Sequence, residues 1–248
     1  MHINYRTTIV QGLIALFFLF APLQAVYSFT FTVDNSVDDF TDANAGDGLC
    51  NINVGAPVEC TLRAAIQEAN AWPGADYILV PAGNYQIGVN GTGENASVTG
   101  DYDITGQLTI NGAGSAVTII DGDDRDRVFN VLPGATVTIS DVTIQNGSSS
   151  ITDGGGILNQ GILTLVDSIV TGNTTTNDSS GGGISNLSTL TISRSAINNN
   201  DSSSTGGGII NGGVGASDAV TTINDSIIEG NQASSVGEES IFPEAPSR

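Results

Sequence analysis

Gly154-Gly155-Gly156-Ile157-Leu158-Asn159, Gly181-Gly182-Gly183-Ile184-Ser185-Asn186 and Gly206-Gly207-Gly208-Ile209-Ile210-Asn211 are three copies of one phrase, with starts 27 and then 25 residues apart. A fixed period in the twenties is the mark of a solenoid, in which each repeat is one coil that cannot bury its apolar face alone. Each phrase is followed by an alternating segment, at residues 163–170, 190–197 and 221–228. Residues 137–144 match these segments without the preceding glycines. Alternation of β-branched residues with period two is a strand signal, and nothing in these segments repeats every 3.6 residues. In register, Ile139, Leu165, Ile192 and Ile223 form one column and Ile144, Val170, Ile197 and Ile228 a second.

The asparagines align as well. Asn159, Asn186 and Asn211 form one column, and Asn173, Asn200 and Asn231 another. Asn tolerates left-handed backbone at tight turns, and stacked Asn side chains also hydrogen-bond from rung to rung as a ladder. The Gly triplets supply positive φ or close backbone approach at a different corner. Short strands, Gly corners and Asn columns at this spacing predict an all-β protein, a right-handed single-stranded parallel β-helix. A leucine-rich repeat would carry its own Leu/Asn consensus, which is absent.

The mature chain holds one helical stretch, residues 61–71, with Leu62, Ala65, Ile66 and Ala69 on one face. Thr61 is placed to cap its N-terminus, and Trp72-Pro73-Gly74 ends it. An amphipathic helix beside the first coil predicts a cap over the open N-terminal end of the solenoid core. Residues 77–80 read as the first rung strand, turned by residues 81–84, and residues 90–100 as a Gly/Asn/Ser insertion. Residues 108–112 and 117–122 read as the next coil. The connections at 173–180 and 200–205 are expected to emerge as loops at one corner.

Ahead of this lies a signal-peptide pattern: Arg6, an apolar run at 12–20, and small residues up to Ala25, after which cleavage is expected. The chain therefore divides into a signal peptide (1–25), an N-terminal cap (26–74), β-helix coils (75–240) and a tail (241–248) in which Ile241 and Phe242 are the only large apolar residues. No segment after the signal has the length and hydropathy of a membrane-spanning helix. Cys50 and Cys60 are the only cysteines, and a lone close pair in an exported chain reads as a disulfide. The chain carries 26 acidic residues against six Arg and no Lys, which disfavours nucleic acid and anionic membrane surfaces as partners.

Residues 42–50, then Cys60-Thr61-Leu62-Arg63-Ala64-Ala65-Ile66-Gln67-Glu68-Ala69-Asn70, resemble the CSLREA domain found at the start of exported bacterial β-helix proteins. Thr61 stands for its Ser and Ala64 for its Glu. The later repeats resemble coils of the pectin-lyase-like class, and the Gly-Gly-Gly-Ile corners resemble repeats of polymorphic outer-membrane proteins. The resemblance implies an exported protein, extracellular or at a bacterial cell surface or outer membrane.

That class includes polysaccharide lyases and hydrolases, which need a basic residue or paired carboxylates in one groove. The candidates are Asp121, Asp123, Asp124, Asp126 and Asp153. Asp167 and Asp225 also align, with Arg194 between them, and that column reads as a rung-to-rung ion pair. No residue is assigned a catalytic role. Asp42, Asn44 and Asp47 form an oxygen-rich candidate calcium loop that lacks the full EF-hand spacing and its Glu, and Asp121–Asp126 form a denser cluster. Three functions are open: a non-catalytic scaffold presenting corner loops for adhesion or glycan contact, a carbohydrate-active enzyme, and a fragment of a larger surface protein.

Overall fold

The computed structural model describes residues 27–38, 41–52, 59–212 and 218–235. The expected signal peptide and the Ile241-Phe242 tail lie outside the described residues. The described chain is a parallel β-solenoid of about five turns with one short helix.

Each coil follows from the alternation in its sequence. In Ile162–Val166, Leu163 and Leu165 point inward and are buried, while Ile162, Thr164 and Val166 point out. The chain bends, runs through Ile169–Thr171, bends again through Thr174–Thr175, and returns by way of the Gly triplet to Ile184–Asn186. Successive coils stack these strands in parallel, so that Leu165 pairs with Ile139 and Ile192, and Val170 with Ile144 and Ile197. Four sheets result, of seven, six, five and four strands. We number them by size, and within a coil the chain meets them in the order first (the seven-stranded), second (six), fourth (four) and third (five). The inward Ile, Leu and Val side chains form one continuous core column.

Each bend has its own chemistry. Between the first and second sheets, Asp141, Asp167, Arg194 and Asp225 take left-handed backbone, with φ of 60°, 49°, 49° and 48°. The serine that follows seals the bend, Ser195 Oγ accepting from Ser168 N and Ser226 Oγ from Ser195 N, both at 3.1 Å. At the next bend the left-handed residues are Asn146, Gly172, Asn199 and Gly230. The ladder asparagines Asn173, Asn200 and Asn231 come one position later, and their role is side-chain bonding rather than left-handed turning. At the third corner the first Gly of each triplet has φ of +81°, +70° or +66°. The second cannot carry a side chain, since a Cβ on Gly155 would lie 2.2 Å from the Thr174 carbonyl oxygen.

Two expectations need correction. Residues 81–84 do not simply turn the chain, because Gly83–Gln86 is already a strand of the second sheet. The connections at 173–180 and 200–205 are not wholly loop: Thr174–Thr175 and Asp201–Ser202 pair with Ser148–Ser149 and Gln232–Ala233 to make the fourth sheet. Two-residue strands rich in Ser and Thr have too short an alternation to announce themselves. The first rung also has a neighbour, since Thr30–Thr32 pairs in parallel with Ala75–Val80.

The helix spans Leu62–Ala71, with Thr61 Oγ1 accepting from Ala64 N at its N-cap. It packs on the strands Ala75–Val80 and Tyr102–Ile104. Burial extends around it to Arg63, Gln67 and Glu68, because Asp38, Asp42, Gly46 and Gly48 meet it from one segment and Ser97 and Gly100 from another.

Candidate functional site

The helix is the hub of the molecule's polar chemistry. Fully buried Arg63 makes a two-pronged pair with Asp38, Nε to Oδ1 at 2.8 Å and Nη2 to Oδ2 at 2.7 Å. It also donates to the carbonyls of Ser97, Gly100 and Asp101, and its guanidinium lies 4.8 Å from the Tyr102 ring centre. One side chain thereby ties the cap to the insertion at 90–100 and to the first return strand. Burial outweighs the Arg63 pairing and raises the Asp38 carboxyl above its ordinary value. Gln67 Oε1 accepts from Asp42 N at 2.7 Å, and the next residue, Glu68, braces the same loop again. The Glu68 carboxylate accepts from Gly46 N at 2.6 Å, from Gly48 N, and from Trp72 Nε1 at 3.2 Å.

The candidate calcium loop is the segment so held. Asp42 Oδ1 accepts from Asn44 N and Oδ2 from Asn51 N; Asp47 Oδ1 accepts from Leu49 N and Oδ2 from Asn44 Nδ2. Each of these four oxygens faces a donor of the loop's own, and the loop amides of Gly46 and Gly48 converge on an anion, Glu68. Among the described residues no group of three or more His, Cys, Asp or Glu is arranged to hold a metal ion. The Cys50–Cys60 disulfide closes the neighbouring segment, between this loop and the helix.

The acidic run 121–126 is split by the fold. Asp121 faces the second sheet and accepts from Gln145 Nε2 at 2.7 Å, Asn146 Nδ2 and Asp123 N. Asp123 pairs with Arg125 at 2.7 Å at the surface. Asp126 turns inward, where it meets residues that the sequence reading did not single out. Arg127 Nε lies 2.7 Å from Asp101 Oδ2, and Arg127 Nη1 donates to the Asp153 carbonyl. Asp103 accepts from Ser97 N at 2.9 Å and from Asn130 Nδ2 at 2.8 Å. All of Asp101, Asp103, Asp126 and Arg127 are buried. Burial pushes the Asp101 carboxyl up to about 8 and Asp103 up to about 6, and it raises Asp126. Such shifts mark catalytic groups when a substrate can reach them. Here they belong to carboxylates packed beneath the 90–100 insertion and already bonded to Arg127, Ser97 and Asn130. Asp153 is spent likewise, accepting from Ser180 N at 2.7 Å.

Comparison with known protein families, with curated proteins and with solved structures returned no match. The chemistry must therefore be read from the chain itself.

Two asparagine ladders run along the solenoid. Asn159 Nδ2 donates to Asn186 Oδ1 at 2.7 Å, and Asn186 Nδ2 to Asn211 Oδ1 at 2.8 Å. In the other, Asn173 donates to Asn200 and Asn200 to Asn231, both at 2.9 Å. These bonds satisfy side chains that would otherwise be buried without partners. Arg194 bonds Asp167 through both Nε and Nη2, at 2.9 and 2.7 Å, across one rung at the exposed bend. Asp225, on the next rung, makes no such pair.

Arg63 and Glu68 were visible as charges on a helix, but their partners come from residues 38, 46, 48 and 97–101. Only the fold brings these together. Asp101 directly precedes the strand Tyr102–Ile104 that carries Asp103, and alternation alone does not show that both faces of that strand are covered.

Proposed function

We propose that this chain is an exported, non-catalytic β-helix scaffold that presents its corner loops at the cell exterior for adhesion or glycan contact. The observation that carries the reading is the fate of its charged groups. Of the five candidate carboxylates, Asp121, Asp123, Asp126 (through Oδ1) and Asp153 are bonded to neighbouring side chains and amides, Asp124 stands exposed at the turn away from the others, and the most perturbed carboxyls are buried. General acid–base catalysis needs such groups to converge on a reachable bond. Export is supported by the disulfide, by the signal-peptide pattern and by the resemblance of residues 42–50 and 60–70 to the CSLREA domain. Among the described residues no helix is long and apolar enough to cross a membrane.

The test is a glycan-binding array run beside a degradation screen on pectin, pectate and alginate, with and without Ca²⁺. The expected result is binding without cleavage, unaltered by Asp123→Ala or Asp124→Ala. Cleavage that either substitution abolishes would establish an enzyme of the pectin-lyase-like class instead.

A further inference from the structure

The outward face of the first sheet differs from the rest of this acidic molecule. Three columns of side chains stand on it over five rungs. The outer column is Gln107, Thr136, Ile162, Thr189 and Val220; the central column is Thr109, Thr138, Thr164, Thr191 and Thr222; the inner column is Asn111, Ser140, Val166, Ser193 and Asn224. None of these residues is charged, although the chain has a net charge of −20. Beyond the inner column the charges begin at the Asp141–Asp167–Arg194–Asp225 bend, and beyond the outer column exposed Asp218 stands two residues before Val220.

The hydroxyls of the central column are also unspent. Elsewhere on the solenoid, Ser168, Ser195 and Ser226 donate to carbonyls of their own bend, Thr143 donates to Ser115 O, and Thr175 to Ser179 O. The hydroxyls of Thr109, Thr138, Thr164, Thr191 and Thr222 bond to no other described residue. Neighbouring rungs lie about 4.8 Å apart, too far for one hydroxyl to bond the next, since an O–H···O bond spans about 2.75 Å. A single water bridges that gap with an O···O···O angle of about 120°. The column is thus built to hold a file of waters at a fixed repeat, with Thr methyls between them. Across the strand, about 6.6 Å away and two residues along, the outer column adds hydroxyls at Thr136 and Thr189 and apolar side chains at Ile162 and Val220. Stacked parallel rungs and side-chain ladders are the devices that hold a sheet untwisted, and asparagine ladders run along these coils.

We propose that this face binds ice. A neutral, flat array of hydroxyls and methyls that positions water at lattice-like intervals matches a solid whose surface is water. It offers little to a polysaccharide, for among the described residues of this sheet the one outward aromatic is Tyr77, at the end of the central column. This binding is separate in place and ligand from the corner-loop contacts proposed above.

The experiment is to freeze a dilute solution of the fluorescently labelled, folded chain slowly onto a cold surface and measure its partition into the ice. Recrystallisation of a frozen film is followed in parallel. The wild-type chain is expected to enter the ice and to slow recrystallisation. Thr164→Lys combined with Thr191→Lys, both at half-buried outward positions, is expected to lose most of the incorporation with an unchanged circular-dichroism spectrum. Thr171→Lys, on the second sheet, is expected to retain it. Thr164→Val, which keeps the methyl and removes the hydroxyl, is expected to fall between. Exclusion of the wild-type chain from ice overturns the proposal, as does equal loss in the first-sheet and second-sheet variants. Exclusion from ice together with Thr164-dependent co-sedimentation on cellulose or chitin overturns it in favour of a glycan-binding face, and Thr164-dependent self-association without ice binding overturns it in favour of a second copy of the chain.

Discussion

Replacing Arg63 with Met should loosen the N-terminal cap more than any other single change in it. The substitution removes both bonds to Asp38, the donors to three carbonyls and the contact with Tyr102, while leaving the Asp38 carboxyl buried. Breaking a buried ion pair from one side costs about 3–5 kcal/mol, and the lost cation–π contact adds about 1 kcal/mol. Part of this returns when Asp38 takes up a proton, so the net loss is placed at about 4 kcal/mol. Against a total stability of about 5–15 kcal/mol this is a large share. With a urea slope of about 2 kcal/mol/M the midpoint falls by about 2 M. Trp72, the single tryptophan, reports the cap directly: its ring centre is 5.5 Å from that of Phe29 and its Nε1 donates to Glu68. Tryptophan fluorescence should therefore show the transition at lower urea than far-ultraviolet circular dichroism, which follows the coils. Adding Asp38→Leu should recover part of the loss, since the stranded carboxylate is then gone. A midpoint shift below about 0.5 M for Arg63→Met would refute the reasoning, because a true hub of this geometry cannot be that cheap to remove.

Stability should fall as pH rises from 4 to 8, measured as the urea midpoint. The sign follows from Asp103 and Asp101, whose folded carboxyls are raised to about 6 and about 8. The folded state then holds more protons than the unfolded one above pH ~4, so their contribution is fully present below the unfolded value and is lost as pH climbs through the folded one. For Asp103 the loss is about 3 kcal/mol across pH 4 to 6, and Asp103→Asn should flatten that slope; a wild-type midpoint that climbs steadily from pH 5 to 8 would contradict this. Reducing the Cys50–Cys60 bond, which spans ten residues of sequence, should cost about 2–3 kcal/mol, and two free thiols by mass spectrometry in protein from an oxidising compartment would deny the bond. Asn200→Ala removes the donors to Val170 O and Asn231 and the acceptor for Asn173, and should lower stability by about 2–3 kcal/mol in the same titration, with a null effect counting against the ladder as a stabilising device.

The coils were legible because their alternation is long enough to read and repeats at a near-constant interval. Leu165 and Val170 fall in register with their neighbours on both sides once the Gly triplets are aligned, and the observed pairing is the same. The helix was legible from its apolar spacing and its Thr61 cap. The fourth sheet was not, because a pair such as Thr174–Thr175 carries no periodicity and acquires its partners only after the bends stack. The split of the 121–126 run was hidden for a related reason. Asp123 and Asp124 both take left-handed backbone, with φ of 52° and 54°, and this double reversal sends Asp121 and Asp126 to different faces. The buried cluster under the insertion depended on contacts between residues some 25 to 38 positions apart, which no local pattern encodes.

The two asparagine ladders have a consequence for how such a chain changes in length. Each ladder Asn donates to one neighbour and accepts from the other, so the upper and lower surfaces of a coil present complementary halves of one connector. A coil copied between Asn186 and Asn211 would find matching partners above and below, with the helix and its Arg63 attachments undisturbed at the far end. Loss of one coil would close the gap by the same joint. The molecule is in this sense graduated like a ruler: its cross-section is fixed by the bends, and its reach can be altered in steps of one rung, about 4.8 Å each.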